Sequence, residues 1–173
     1  MIGLENKVLS SKRLTYRLLE EADKAALQKI VSDGSVSEPA GFLPPDTNEK
    51  FDRFYTALTQ NNTGVAILHG ETLIGYIHVF SYKSDMPKYC EKRGVSTGFV
   101  IGKQYWGHGY ATETLETMTA YLKQMYDYCV ADHFVGNDAS KKVILKCGYR
   151  YFETYTMLFE ELGKEMTCLS YMC

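Results

Sequence analysis

Gln104-Tyr105-Trp106-Gly107-His108-Gly109-Tyr110-Ala111 decides how the rest of this chain is read. It stands between a strand-like run, Gly98-Phe99-Val100-Ile101-Gly102, and a long amphipathic stretch with helical period. The first turn of a helix has unpaired N–H donors and the positive end of the macrodipole. Glycines let an anion approach that backbone without meeting a Cβ. Strand, glycine loop and helix in succession therefore suit a phosphate-bearing cofactor. The same glycines also fit a plain strand-to-helix turn, so the loop is weighed against what surrounds it.

After the loop, Ala111, Leu115, Met118, Leu122 and Met125 recur at i, i+4, i+7, i+11 and i+14, which predicts a core-packed helix over 109–126. Before it, Arg13 to Leu19 reads as a strand, Glu20 to Ser32 as a helix, and Gly41 to Pro45 as a loop. A second helix is predicted over Asn48 to Thr59, with Phe51, Phe54, Tyr55 and Leu58 on one stripe. The period then changes: Gly64–Leu68 and Leu73–Tyr82 read as strands joined by a tight turn at His69-Gly70-Glu71. Ser84 to Arg93 is polar and holds Pro87, hence a loop, and Gly94–Gly102 is the fourth strand. Tyr128–His133 is a short strand and Asn137–Cys147 a short helix stopped by Gly148. Tyr149–Phe159 and Glu165–Tyr171 form a terminal antiparallel pair turning at Leu162-Gly163-Lys164.

With 173 residues the chain reads as one domain, 1–173, able to bury a core. A net charge of −2 with scattered Lys and Arg gives no nucleic-acid footprint. No apolar run approaches the roughly 20 residues that span a bilayer. The five cysteines are odd in number, form no C-x-x-C pair and follow no signal peptide, so a reduced cytoplasmic compartment is expected, with the thiols as apolar filler. His69, His78, His108 and His133 show no ligand spacing, and no metal is expected.

Three glycine-loop chemistries compete. A P-loop needs Lys-Ser/Thr after its last glycine, and His108-Gly109 follows Gly107 instead. A dinucleotide fingerprint places its third glycine at Thr112, and flanking βαβ units are lacking, so a Rossmann-type nucleotide binder is the lesser alternative. The pattern [QR]-x-x-G-x-[GA] is met in full by Gln104 to Gly109. In this the chain resembles the GNAT N-acetyltransferase superfamily, and the spelling Tyr-Trp-Gly-His-Gly-Tyr-Ala-Thr-Glu is similar to its RimJ/RimL-like branch. Leu14-Thr15-Tyr16-Arg17 with Glu21-Ala22-Asp23, Ile74-Gly75-Tyr76-Ile77, Asn137-Asp138-Ala139-Ser140 and Lys146-Cys147-Gly148-Tyr149 extend the likeness over residues 12 to about 157.

The resemblance implies an α/β GNAT fold: a mixed, mostly antiparallel twisted sheet of about seven strands flanked by about four helices, splayed between the fourth and fifth strands. It implies acetyl-CoA as co-substrate and a primary amine, small-molecule or peptide, that attacks the thioester directly. The pantetheine arm would pair with the backbone of Phe99, Val100 and Ile101. Gln104, Tyr105, Trp106, Gly107, His108, Gly109, Tyr110 and Ala111 would form the pyrophosphate loop, with Trp106 equally readable as a packing residue. Asn137 would bond the pantetheine amides, and Ser140 would lie near the thiol. Asp132 matches the base of sibling branches. Their acid tyrosine falls on Ile144 and a RimL-type glutamate on Ser96, so water relays to Asp132, His133, Ser140 or Tyr149 stay open, as does a CoA-binding sensor without turnover. Tyr76, Tyr82 and Tyr155 line strand faces or an acceptor pocket. A monomer or homodimer without nucleic-acid or membrane partners is expected.

Overall fold

The computed structural model describes Leu4, residues 7–159 and residues 163–173. Among them, eight strands form one sheet: β1 (Leu9–Ser10), β2 (Thr15–Leu18), β3 (Gly64–His69), β4 (Thr72–Tyr82), β5 (Gly94–Ile101), β6 (Tyr128–Phe134), β7 (Arg150–Phe159) and β8 (Lys164–Met172). Their order is β1-β2-β3-β4-β5-β6-β8-β7. Five helices accompany them: α1 (Lys24–Val31), α2 (Gly34–Ser37), α3 (Asn48–Thr59), α4 (Tyr110–Leu122) and α5 (Asp138–Lys146). The mixed α/β architecture is the one expected, with one strand and one helix more. The additions are β1, two residues long, and α2, a single turn capped by the Asp33 carboxylate on the Ser35 N–H. Neither is long enough to show a period.

Every neighbouring pair is antiparallel except β5–β6. A doubly wound nucleotide-binding sheet is parallel throughout its core, so the Rossmann alternative is overturned. Helices cover both faces. Leu115, Met118 and Leu122 of α4 and Ile144 of α5 are fully buried on one side, and Leu27, Val31, Phe51 and Leu58 of α1 and α3 are buried on the other. Each such side chain contributes about 1.5–3 kcal/mol of burial. α4 ends four residues before Tyr126, but Met125 still packs against the same core from the turn that follows. The Leu162 part of the expected terminal turn lies outside the described residues; Gly163, at φ +59, enters β8.

Two local devices set the frame for the site. Arg17 forks onto both oxygens of Asp23 at 2.6 and 2.9 Å, and Asp23 also accepts the Glu20 N–H, so β2 is tied to the start of α1. At the other end of the sheet's centre, Gly75 lies opposite Ile101, where a Cβ would stand 2.1 Å from the Val100 carbonyl oxygen. That close approach holds the end of β5 against β4. No helix among the described residues is long and apolar enough to cross a membrane.

Candidate active site

The one parallel pairing is short. Gly94–Thr97 of β5 pairs with Tyr128–Ala131 of β6, and there the two strands part. Beyond it, Gly98 to Ile101 pair only with β4, while Asp132 to Phe134 pair only with β8. The separation falls where the resemblance places it, and it leaves one edge of β5 without a strand partner among the described residues. A backbone edge of this kind is a template for an extended ligand. Gly98 is exposed, and a Cβ there would meet nothing within 4 Å. Phe99 is half-buried against the main core, and Val100 is buried in the second core. The Ile101 carbonyl accepts the Trp106 indole N–H at 2.7 Å.

The glycine loop follows at the wide end of this gap. Lys103–Tyr105 forms one 3₁₀ turn holding Gln104 and Tyr105, and Trp106 then extends. Gly107 and Gly109 both have φ +78, the left-handed region that glycine enters without penalty. A Cβ on Gly107 would meet nothing within 4 Å, so the requirement there is conformational, and the space above it is open. Gly109 caps α4, and Tyr110 and Ala111 begin it. The free N–H groups and positive dipole end of a 13-residue helix are thus presented beside the split. Trp106 is 47% exposed while its indole nitrogen is tied to β5, so it has both a packing side and a solvent side. His108 donates from Nδ1 to the Trp106 carbonyl at 2.8 Å and stacks on Tyr110, which makes it a shaping residue of the loop.

The opposite lip is α5. Asn137 is its N-cap: Oδ1 accepts the Ser140 N–H at 3.1 Å, and Nδ2 donates to the Pro39 carbonyl at 2.9 Å. Each end of the amide keeps capacity for one more hydrogen bond. The Pro39 contact draws the segment after α2 across the gap, and Gly41 beside it packs so closely on Phe134 that a Cβ would lie 2.4 Å from the ring. Ser140 is half-buried in the first turn of α5.

The floor of the gap is acidic. Asp132, the residue after the last β5–β6 pair, accepts the Ser170 hydroxyl at 2.5 Å and the Tyr155 hydroxyl at 3.2 Å. Burial pushes its carboxyl above the ordinary carboxylate range; Ser170 and Tyr155 pull back, and nearby Glu153 pushes further up. Glu153 accepts the Tyr82 hydroxyl at 2.7 Å, which joins β4 to β7 over the floor. Burial and that carboxylate raise the Tyr82 hydroxyl's pKa, and burial with Asp132 raises that of Tyr155. The Cys168 thiol in the next row is pushed up to about 11 by burial and is a poor nucleophile at neutral pH. Ser96, just before the split, buries its hydroxyl without a hydrogen-bond partner among the described residues.

Three expectations are redistributed by the fold. His133 lies on the other face of β6 from Asp132, buried, with Nδ1 donating to the Phe134 carbonyl and Nε2 3.2 Å from the Tyr171 hydroxyl. Tyr149 is buried in the main core with its hydroxyl 2.7 Å from Thr119, and Ile144 is buried there too. Neither His133 nor Tyr149 reaches the gap, so the water relays through them are set aside. Tyr76 is a core residue of the second cluster, whereas Tyr82 and Tyr155 border the acidic floor. No local pattern in the sequence marks Glu153 or Ser170. A bulge between Tyr151 and Glu153 shifts the alternation of β7, so that Glu153, and not Phe152, stands opposite Ser170.

Known proteins match this arrangement. The GNAT acetyltransferase domain model fits residues 13–150. An uncharacterized N-acetyltransferase of Schizosaccharomyces pombe is 26% identical over 174 residues, covering 93% of each chain. Among solved structures, a GNAT-family acetyltransferase from Bacillus anthracis superposes with a TM-score of 0.79 at 20% identity, over 96% of this chain and 97% of that one. A spermidine N-acetyltransferase from Vibrio cholerae in complex with CoA and spermine gives 0.74 at 14% identity, over 94% and 96%.

Proposed function

This chain belongs to the GNAT acetyltransferase family and is an acetyl-CoA-dependent acyltransferase, and from that premise we propose that it acetylates a primary amine held over Asp132. The observation that carries the reading is the parting of β5 and β6 after Thr97 and Ala131, which opens onto a loop with two left-handed glycines. The backbone of Phe99 to Ile101 takes the pantetheine arm as an added strand. The amides from Tyr105 to Ala111 take the pyrophosphate, with Gln104 in the turn that precedes them. Asn137 and Ser140 border the thioester end, where Asn137 orders the first turn of α5 and the Ser140 hydroxyl donates to the departing thiolate.

The amine attacks the thioester carbon, and the C–S bond breaks as the C–N bond forms. Orientation supplies much of the rate in such a direct transfer. The chain's own contribution is to take a proton from the ammonium, and Asp132 is suited to it. Its raised carboxyl is a stronger base than an exposed aspartate, and Ser170 and Tyr155 fix its two oxygens. The aromatic and acidic border of Tyr82, Tyr155 and Glu153 favours a cationic acceptor over an anionic one. Protein N-termini, polyamines and amino sugars all meet that description.

Thiol release from acetyl-CoA, measured across a panel of such amines, tests the reading. Turnover is expected with at least one cationic primary amine and with no anionic one. Uniform silence with retained acetyl-CoA binding would make the chain a CoA-binding sensor. Gly107→Val probes the loop separately. A β-branched residue at φ +78 is strained by about 1–2 kcal/mol, yet no neighbour obstructs it. The fold is expected to persist, with a change in Tm of a few degrees, while acetyl-CoA affinity falls roughly tenfold or more. Unchanged affinity would remove the loop from the pyrophosphate site.

A further inference from the structure

Arg13 lies just before β2, far in sequence from the glycine loop, and its side chain is nevertheless engaged with that loop. Nη1 donates to the His108 carbonyl at 2.9 Å, and Nε donates to Glu113 Oε2 at 2.7 Å. Its own backbone N–H donates to Glu113 Oε1 at 2.8 Å, and the same oxygen accepts the Ser11 hydroxyl at 2.6 Å. The guanidinium carbon sits 4.6 Å from the centre of the Tyr110 ring. Nη2 faces Gly109, 3.6 Å from where a Cβ would stand. Arg13 thus ties one peptide of the loop to Glu113 of α4, and Ser11 and the Arg13 N–H hold the same carboxylate.

That peptide, His108–Gly109, runs into Gly109 at φ +78, and Gly107, one residue before His108, has the same φ. Glycine on its C-terminal side removes the Cβ that would otherwise resist rotation of the peptide plane about the Gly109 N–Cα bond. In a trans peptide the C=O and the following N–H point in opposite directions. A grip on the His108 carbonyl therefore aims the Gly109 N–H away from Arg13. Glu113 in turn holds the guanidinium through its fork. Arg13 and Ser11 also neutralise and satisfy a carboxylate that stands in the first turn of α4, where an unpaired one would compete with a bound anion for the same amides.

We propose that Arg13 is a positioning residue for acetyl-CoA: it clamps the His108–Gly109 peptide so that the Gly109 N–H stays presented to the pyrophosphate, with Glu113 locking the clamp. The proposal rests on the reading of the glycine loop as the pyrophosphate site. A lysine here carries the charge but cannot hold the His108 carbonyl and Glu113 in one planar fork.

The test compares wild type, Arg13→Ala and Arg13→Lys in three measurements: acetyl-CoA affinity by calorimetry, amide hydrogen exchange over residues 106–110 without ligand, and Tm. Arg13→Ala is expected to weaken acetyl-CoA binding about tenfold or more, to appear in the KM for acetyl-CoA more than in kcat, and to speed exchange across the loop. Arg13→Lys is expected to recover only part of the affinity. Wild-type affinity in Arg13→Ala would overturn the clamp, as would an affinity loss explained wholly by a fallen Tm. Full recovery in Arg13→Lys would assign the effect to charge alone and overturn it too. If wild type itself fails to bind acetyl-CoA, the site reading fails. The exchange data still judge the clamp, which unchanged protection in Arg13→Ala would refute.

Discussion

Asp132→Asn is expected to lower kcat by about 100-fold or more, the usual scale for loss of a general base, while Tm at neutral pH stays level or rises. Asparagine keeps an oxygen for the Ser170 hydroxyl, so the geometry at Oδ1 survives. The stability expectation follows from the direction of the carboxyl's shift. Burial raises its pKa in the folded chain, so the folded state binds this proton more tightly than the unfolded state does. The group therefore supports the fold fully below the ordinary aspartate value of about 3.9, and that support is lost as pH rises through the folded value. Once ionised, the half-buried carboxylate stands beside Glu153 at a cost to the fold, and the amide removes that cost. The acidic limb of kcat/KM in the parent should accordingly lie above the ordinary carboxylate range and be absent from the variant. Thiol-release rates from pH 5 to 9, with thermal melts at the same pH values, check both parts. Undiminished kcat would remove Asp132 from the reaction.

Gly75→Ala is expected to be the most damaging small substitution for the fold. Its new methyl would stand 2.1 Å from the Val100 oxygen and 3.1 Å from the Ile101 Cα. Both are backbone atoms of the partner strand, so no side chain can move aside. Either β4 and β5 separate, or the pairing Gly75↔Ile101 and the Gly102 N–H bond to Ile74 at 2.8 Å are lost. A loss of about 3 kcal/mol or more is expected, on the scale of an overpacked core. For a chain of this size that is roughly a 10 °C fall in Tm. Gly98→Ala, two strand positions before Val100, is the contrast. A methyl there meets nothing, and the change should leave Tm within a few degrees or raise it slightly. Equal melting of Gly75→Ala and the parent would show that β5 is not held by this approach. The consequence reaches the site, because the end of β5 leads directly into the glycine loop.

The sequence was most legible where one element carries a strong period or a distinctive turn. The bounds of α3 coincide with Asn48–Thr59, and the glycine loop falls between a strand and a long helix as its surroundings predict. The split is legible only through family likeness, since what makes it is the end of a four-residue pairing between β5 and β6. Facing was harder. His133 neighbours Asp132 in the chain but points to the opposite face, and Tyr149 follows a helix stop into the core. Glu153 was hidden by a bulge that moves it into the row of Ser170 and Asp132. Arg13 was hidden by distance: 95 positions separate it from the carbonyl it holds. No local pattern announces such a contact, because folding alone brings the β1–β2 turn to the start of α4.

The central claim is that the gap between β5 and β6, with the loop at its wide end, is an acetyl-CoA site. Calorimetric titration of the wild-type chain, first with acetyl-CoA and then with NAD, tests it most directly. The account predicts one acetyl-CoA per chain, bound with a Kd on the order of micromolar or tighter, about −8 kcal/mol, and no measurable NAD binding. Binding of NAD with no heat from acetyl-CoA would contradict it.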